Sequence, residues 1–407
     1  MYHRRLPIDL PAAQSAFVWG PRKVGKSTFL REQFPKSLYL DLLDSGLRFA
    51  LLRQPSELRQ ILAAAGPDTL AQPVILDEVQ KVPELLDEVH WLIENKRYSF
   101  ILCGSSARKL RHGQANLLGG RAWRFEMFPL VSAEIPDFDL LRALQHGLIP
   151  SHYDSARPDR ALQAFLDDYL KEEIAAEALT RNLAAFARFL DVVGIMNGQL
   201  VNYASIASDV GVDAKTVRSY FEILEDTMIA RMLMPLPAKP GSRKHLSSTP
   251  KFYVFDPGVA RTMRRVRLTG IEGAEAGHLF ETFVANELYA HRSYAETRQP
   301  VHYYRTKAGA EVDFVLNEGE TGIEVKVSRN IRGRDLSGLN SFLDEYPKAR
   351  AIVVCLEERR RTVVDASGRA IEILPWADFC SALWKGEIGG QIASPPARRR
   401  QRRVRHA

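Results

Sequence analysis

The stretch GPRKVGKST, Gly20 to Thr28, constrains the fold more than any other part of this chain. It has the G-x-x-x-x-G-K-S spacing and lies between an apolar run, SAFVWG, and a helix-like run, TFLREQF. Strand, glycine loop and helix in that order make a phosphate cradle. Gly20 and Gly25 let the backbone turn its N–H groups inward, and the helix N-terminus faces the anion. The expected nucleotide-binding segment is therefore Gly20, Pro21, Arg22, Lys23, Val24, Gly25, Lys26, Ser27 and Thr28. Lys26 is expected to reach the β and γ phosphate oxygens, and Ser27 to offer its hydroxyl to Mg2+.

A site of this kind needs an acid on a neighbouring strand, and QPVILDEVQKV supplies two. Asp77 is expected to orient the metal ion and Glu78 to polarise an attacking water. The next apolar run, YSFILCGSS, ends in Ser105 and Ser106. Ser105 is the first candidate for sensing the γ-phosphate, with Ser106 as the substitute. Arg121 follows two glycines and precedes another strand, so it is a candidate for a nucleotide, its own or a neighbour's in a homo-oligomer. Strands expected near 16–19, 37–40, 74–77, 100–103 and 123–127 alternate with helical stretches, which predicts a parallel sheet covered on both faces.

The middle reads as helical over 139–188, broken by GLIPSHYDSARPDR. Beyond it, YASIASDVGVDAKTVRSYFEILEDTMIARML predicts two helices around a Gly211–Asp213 turn, then a hairpin wing from Ile229. That is a winged-helix pattern. Lys215, Thr216, Arg218 and Ser219 would face outward, toward DNA or toward a protein surface. The Pro-, Ser- and base-rich segment 235–252 is expected to be a mobile arm.

Farther on, AGHLFETFVANELY predicts a helix with Glu281 and Glu287, and EVDFVL and GIEVKVS predict strands with Asp313, Glu324 and Lys326. Glu324 and Lys326 are two apart and share a face. Glu on a helix, Asp on a strand and E-x-K on its partner is the PD-(D/E)XK nuclease arrangement. Glu281, Asp313 and Glu324 would hold a second metal site, with Glu287 as the alternative helix acid, and Lys326 would orient the attacking water. A Glu324–Lys326 ion pair is the plainer reading of the same residues.

Composition sets the outer limits. The 407 residues imply more than one domain, and 45% hydrophobic with 26% charged residues is ordinary for a soluble chain. No run of eighteen apolar residues predicts a membrane span, and MYHRRLPIDLP lacks the apolar stretch of a signal peptide. The three cysteines have no metal-ligand spacing, which fits the cytoplasm. Six of the seven excess positive charges are tail arginines between Arg398 and Arg405, so the pI of 9.2 describes the tail. That tail is expected to be disordered, touching an acidic surface or merely solubilising.

GPRKVGKST, LDEVQKVPELLDEVHWLIE, ILCGSSARKL, GGRAWRFEMFPLVSAEI and YLKEEI, together with the EVDFVL and GIEVKVS pair, resemble AAA-type ATPases that carry a C-terminal DUF4143 region. The resemblance runs from about residue 11 to 385; Ser27 stands where threonine is commoner. It implies ATP as the nucleotide, a bacterial or archaeal lineage and a nuclease-like last domain. The expected α/β architecture is a P-loop parallel-sheet ATPase core over 1–138, a helical lid over 139–188 and a winged-helix-like domain over 189–240. A small α/β PD-(D/E)XK nuclease-like domain over 241–385 and a basic tail over 386–407 complete it. The expected function is magnesium-dependent ATP hydrolysis that rearranges an attached nucleic-acid- or protein-binding module. A nucleotide-gated DNA nuclease and a low-turnover protein-binding switch are the alternatives.

Overall fold

The computed structural model describes residues 2–106, 118–169, 182–238, 247–297 and 300–390. The segments ARKL (107–110), LKEEI (170–174) and most of the basic tail lie outside the described residues.

The first sheet is built from β1 (Ser15–Trp19), β2 (Tyr39–Asp41), β3 (Val74–Asp77), β4 (Phe100–Gly104) and β5 (Ala122–Glu126). All neighbours pair in parallel, in the order β2-β3-β4-β1-β5. The pleat explains why its strands read as unbroken apolar runs. Ala16, Val18, Ile75, Ile101 and Cys103 fill one buried cluster, while Phe17, Trp19, Leu76, Phe100 and Leu102 fill a second. Alternate residues thus face opposite layers, and both layers are dry. The order also inserts β4 between β1 and β3, which carry the phosphate loop and the Asp77–Glu78 pair at their carboxyl ends.

The helical middle is broken where expected: within GLIPSHYDSARPDR, residues 147–149 and 154–157 are non-helical, and Pro150 and Pro158 each open a new helix in its first turn, where a missing N–H costs nothing. Among the middle helices, α1 (Pro158–Asp168) and α2 (Leu183–Ile195) precede the expected pair, α3 (Tyr203–Val210) and α4 (Ala214–Asp226). Asn202 and Asp213 cap the pair through side-chain oxygens, and Gly211 (φ 74°) makes the turn between them. β6 (Ala230–Pro235) and β7 (Lys251–Val254) then form an antiparallel hairpin.

That hairpin belongs to a second sheet as well. With β8 (His302–Arg305), β9 (Glu311–Leu316), β10 (Thr321–Val325), β11 (Arg350–Cys355), β12 (Arg361–Val364) and β13 (Ala370–Pro375), it makes the order β12-β13-β11-β10-β9-β8-β6-β7. The sheet therefore crosses the expected boundary at 240. The 235–252 segment ends in β7 rather than in a free arm, and Ser247 donates its N–H to the Arg305 carbonyl. Helices α5 (Gly273–Tyr294) and α6 (Trp376–Trp384) pack on one face of this sheet, and the helix Ser337–Glu345 covers the other. One continuous buried cluster links the first sheet, the middle helices and α5, with Phe138 stacked on Phe283 at 5.5 Å. Among the described residues, no helix is long and apolar enough to cross a membrane.

Candidate functional site

The phosphate loop leaves β1 and enters a helix spanning Lys26–Gln33. Two glycines are required for different reasons. A Cβ on Gly20 would meet the Met127 carbonyl oxygen at 2.4 Å, and Gly25 has φ 95°. The buried Lys26 ammonium donates to the carbonyls of Gly20 and Pro21, at 2.7 and 2.9 Å, so it is held in the concavity of its own loop. Thr28 is exposed, and so is Lys23, whose ammonium lies 3.5 Å from Asp168 and over the Phe165 ring on α1.

The acids approach from β3. Ser27 donates its hydroxyl to Asp77 Oδ2 at 2.6 Å, and the Tyr39 hydroxyl donates to the same oxygen. The Glu78 N–H donates to Asp77 Oδ1 at 3.0 Å. Glu78 itself has left-handed backbone angles (φ 59°, ψ 40°), a strain of roughly 1 kcal/mol or more for a residue with a side chain. Gln80 donates to Glu78 Oε2 at 2.6 Å and to Ser105 Oγ at 3.1 Å. Burial, helped by the Asp77 charge, raises the Glu78 carboxyl above its ordinary range, while Lys26 and Arg22 pull it down.

Lys26, Ser27, Asp77, Glu78 and Ser105 therefore converge at the carboxyl ends of β1, β3 and β4, with Ser106 also buried beside them. Tyr39 and Gln80 belong to the same cluster and were not singled out from the sequence. Gln80 had a signal, an amide two positions after Glu78 and between two valines, Val79 and Val82. Tyr39 had none, because its role depends on β2 lying beside β3.

Arg121 does not join them. It precedes β5, which runs parallel to β1 with Ser15 opposite Ala122, and its carbonyl accepts from Gln14 at 2.8 Å. It therefore lies at the amino end of the sheet, a strand length of roughly 16 Å from the loop. Its guanidinium is paired with Glu94. The reading in which Arg121 serves its own nucleotide is corrected on this ground.

In the middle segment, Thr216 donates its hydroxyl to Asp213 at 2.8 Å as part of the helix cap, and Arg218 lies 4.6 Å over the Tyr203 ring. Lys215 is exposed and Ser219 is half-buried.

The second set of expected residues is also brought together. Glu281 on α5, Asp313 on β9, and Glu324 on β10 face one another, and Lys326 follows β10. Lys326 donates to Glu324 Oε1 at 2.5 Å, and the Val325 N–H donates to Asp313 Oδ2 at 2.8 Å. Burial pushes the Glu281 carboxyl up to about 7, against the pull of Lys251. Burial likewise holds Glu324 well above the usual carboxylate range, reinforced by Asp313. Lys251 and Tyr253 on β7, both missed from the sequence, reach Glu281: the Tyr253 hydroxyl and the Lys251 ammonium donate to Oε1. Among the described residues no three His, Cys, Asp or Glu side chains are grouped as a metal-ion site. Lys251 lies between the acids. Glu287 is not an alternative, since six residues along α5 it has turned to another face. It accepts from Ser132 N, Ser132 Oγ and Trp384 Nε1 at 2.7, 2.8 and 2.6 Å.

Family models match three consecutive stretches: an AAA domain over residues 13–135, a domain of unknown function (DUF8612) over 137–270 and another (DUF4143) over 276–379. The chain has an N-terminal AAA domain and a C-terminal DUF4143 region. The AAA domain contains the phosphate loop and β1–β5, which makes nucleotide binding and ATPase-like activity the family expectation. The DUF8612 match runs through residues 188 and 240 without a break. Uncharacterized proteins of Mycobacterium tuberculosis and Mycobacterium bovis are each 25% identical over 371 residues, covering 89% of this chain and 80% of theirs. A solved structure, the Aeropyrum pernix ORC1 protein in complex with DNA, covers 63% of this chain and 87% of its own, at 13% identity and a TM-score of 0.23. A likeness that loose carries no argument about fold or ligand.

Proposed function

We propose that the chain binds ATP with Mg2+ at the phosphate loop and hydrolyses it to ADP and phosphate. The observation that carries this reading is the 2.6 Å hydrogen bond between Ser27 and Asp77, which brings a hydroxyl and a carboxylate oxygen together at the mouth of the loop. Two hard oxygen donors beside a lysine and a helix N-terminus fit a magnesium-bound polyphosphate. When bound, the ion would neutralise charge on the phosphates, held by Ser27 and Asp77. Lys26 would exchange its loop carbonyls for phosphate oxygens. Glu78, whose carboxyl burial raises above its ordinary range, suits a base that takes a proton from water, and Gln80 fixes it relative to Ser105. The cleft beside Arg22, lined by Phe165, Tyr169 and Ile229 together with Lys23, Asp168 and Thr227, offers a mixed apolar and polar seat for the base.

The C-terminal sheet, with its helix glutamate, strand aspartate and E-x-K pair, is read as PD-(D/E)XK-like in fold. Hydrolysis would drive rearrangement of this attached module.

The test is magnesium-dependent phosphate release from ATP, with and without duplex DNA, by wild type and Lys26→Ala. Release that disappears in Lys26→Ala supports hydrolysis at this site, and stimulation by DNA would name the partner class. Tight ATP binding without release under either condition would overturn hydrolysis in favour of a binding switch.

A further inference from the structure

The acid cluster of the second sheet is organised around an ammonium group. Lys251 is 3% exposed and its Nζ lies 2.5 Å from Glu311 Oε1, 3.3 Å from Glu281 Oε1 and 3.6 Å from Asp313 Oδ1. An ammonium has three hydrogens, and here three carboxylates surround it. The lysine is fixed along its length. Its backbone pairs with Leu233 across the β6–β7 hairpin and with Leu200 on the other side, and its ammonium sits 5.5 Å over the Tyr303 ring. Burial alone would discharge it, yet Tyr253 and the surrounding acids hold its pKa well above the ordinary lysine value. The remaining acid, Glu324, has its own lysine, Lys326.

A divalent ion and this ammonium compete for the same oxygens. A cation bound to Glu281 and Asp313 at the usual distance of about 2.0–2.6 Å would lie against the Lys251 nitrogen. Two like charges in contact inside a buried cage repel strongly. We propose that Lys251 is the resident cation of this cage, taking the place of a divalent metal, so that the C-terminal domain holds its nuclease-like acids in a metal-free, lysine-neutralised form. The domain is then a folded binding module whose carboxylates are structural, not a metal-dependent phosphodiesterase.

The test is Mn2+ binding to the nucleotide-free full-length protein, followed by calorimetry or by loss of the free-ion electron paramagnetic resonance signal. Wild type and Glu281→Gln are expected to give the same isotherm, because no bound ion depends on Glu281. Lys251→Met is expected to gain one site, at least tenfold tighter than any in wild type, and Asp313→Asn in that background is expected to remove it. A wild-type site lost in Glu281→Gln would overturn the proposal, as would a folded Lys251→Met protein that gains no site. The comparison of wild type with Glu281→Gln decides the matter even where Lys251→Met does not fold.

Discussion

Arg4 Nη1 donates to the main-chain carbonyl of Val24 at 2.5 Å, so a side chain twenty residues upstream grips the crown of the phosphate loop. The same guanidinium donates through Nη2 to the Phe128 carbonyl at 2.6 Å and through Nε to Glu134 at 2.9 Å. It is buried, and it ties the loop to the chain that leaves β5.

Removing that guanidinium is expected to be costly. Arg4→Met leaves the buried Glu134 with only backbone donors, those of Arg5 and Val131, and frees three carbonyls. Breaking a buried pair in this way costs about 3–5 kcal/mol. Urea unfolding of Arg4→Met should show a loss of that size, with partial recovery in Arg4→Met/Glu134→Met, where no unpaired charge remains. A loss below about 1 kcal/mol, the range of an exposed ion pair, would show that the tether is not a structural one.

Gln80 gives a second prediction, on rate instead of stability. It joins the candidate base Glu78 to Ser105, the candidate γ-phosphate sensor. Glu78→Gln should lower kcat by about 10²–10⁴ with ATP affinity retained, the range for loss of a positioned general base. Gln80→Leu should lower kcat by roughly tenfold, with KM unchanged, because Glu78 loses a positioning partner but keeps its carboxylate. A rise in KM with constant kcat in either variant would place these residues in binding, not in chemistry.

How much of this was legible in the sequence follows from what each residue depends on. The phosphate loop could be read because its whole geometry is local: Gly20, Gly25, Lys26 and Ser27 lie within one turn of chain. β1 through β5 could be read because both faces are buried, and apolar runs such as VILD and FILC need no partner to be recognised. Of the two readings of Arg121, the one at its own nucleotide fails on a consequence of the expected parallel sheet: a residue just before a strand lies at the amino end, opposite the loop. Lys251 was invisible for a different reason. It lies in a Pro- and Ser-rich stretch that reads as a linker, and only the pairing of β7 with β6 carries its side chain into the acids on α5 and β9.

The position of Arg121 makes a prediction about assembly. Its guanidinium cannot reach the phosphates of its own protomer, so under dilute, monomeric conditions Arg121→Ala should hydrolyse ATP at the wild-type rate. If rate per protomer rises with concentration in wild type, mixing Arg121→Ala with Glu78→Gln should restore part of the activity, since each supplies what the other lacks. A tenfold or greater loss for monomeric Arg121→Ala would contradict its placement at the amino end of the sheet.

The last prediction concerns the junction between the AAA domain and the C-terminal sheet. Glu287 on α5 is fully buried, and its three donors come from Ser132, beyond β5, and from Trp384 on α6. Burial raises its pKa from the ordinary glutamate range to about 7, although the three donors favour the charged form. A carboxyl whose folded-state pKa is raised contributes stability that is complete below the unfolded value near 4.5 and is lost as pH rises through about 7. Glu287→Gln removes the titration and sets an amide N–H against a donor, a local loss of about 1–3 kcal/mol. Melting temperatures at several pH values from 4.5 to 7.5 should therefore converge: the wild type, more stable at the acid end, loses its advantage over Glu287→Gln as pH rises. Parallel curves across that window would mean that Glu287 keeps one protonation state throughout and that the donors, not burial, set its charge.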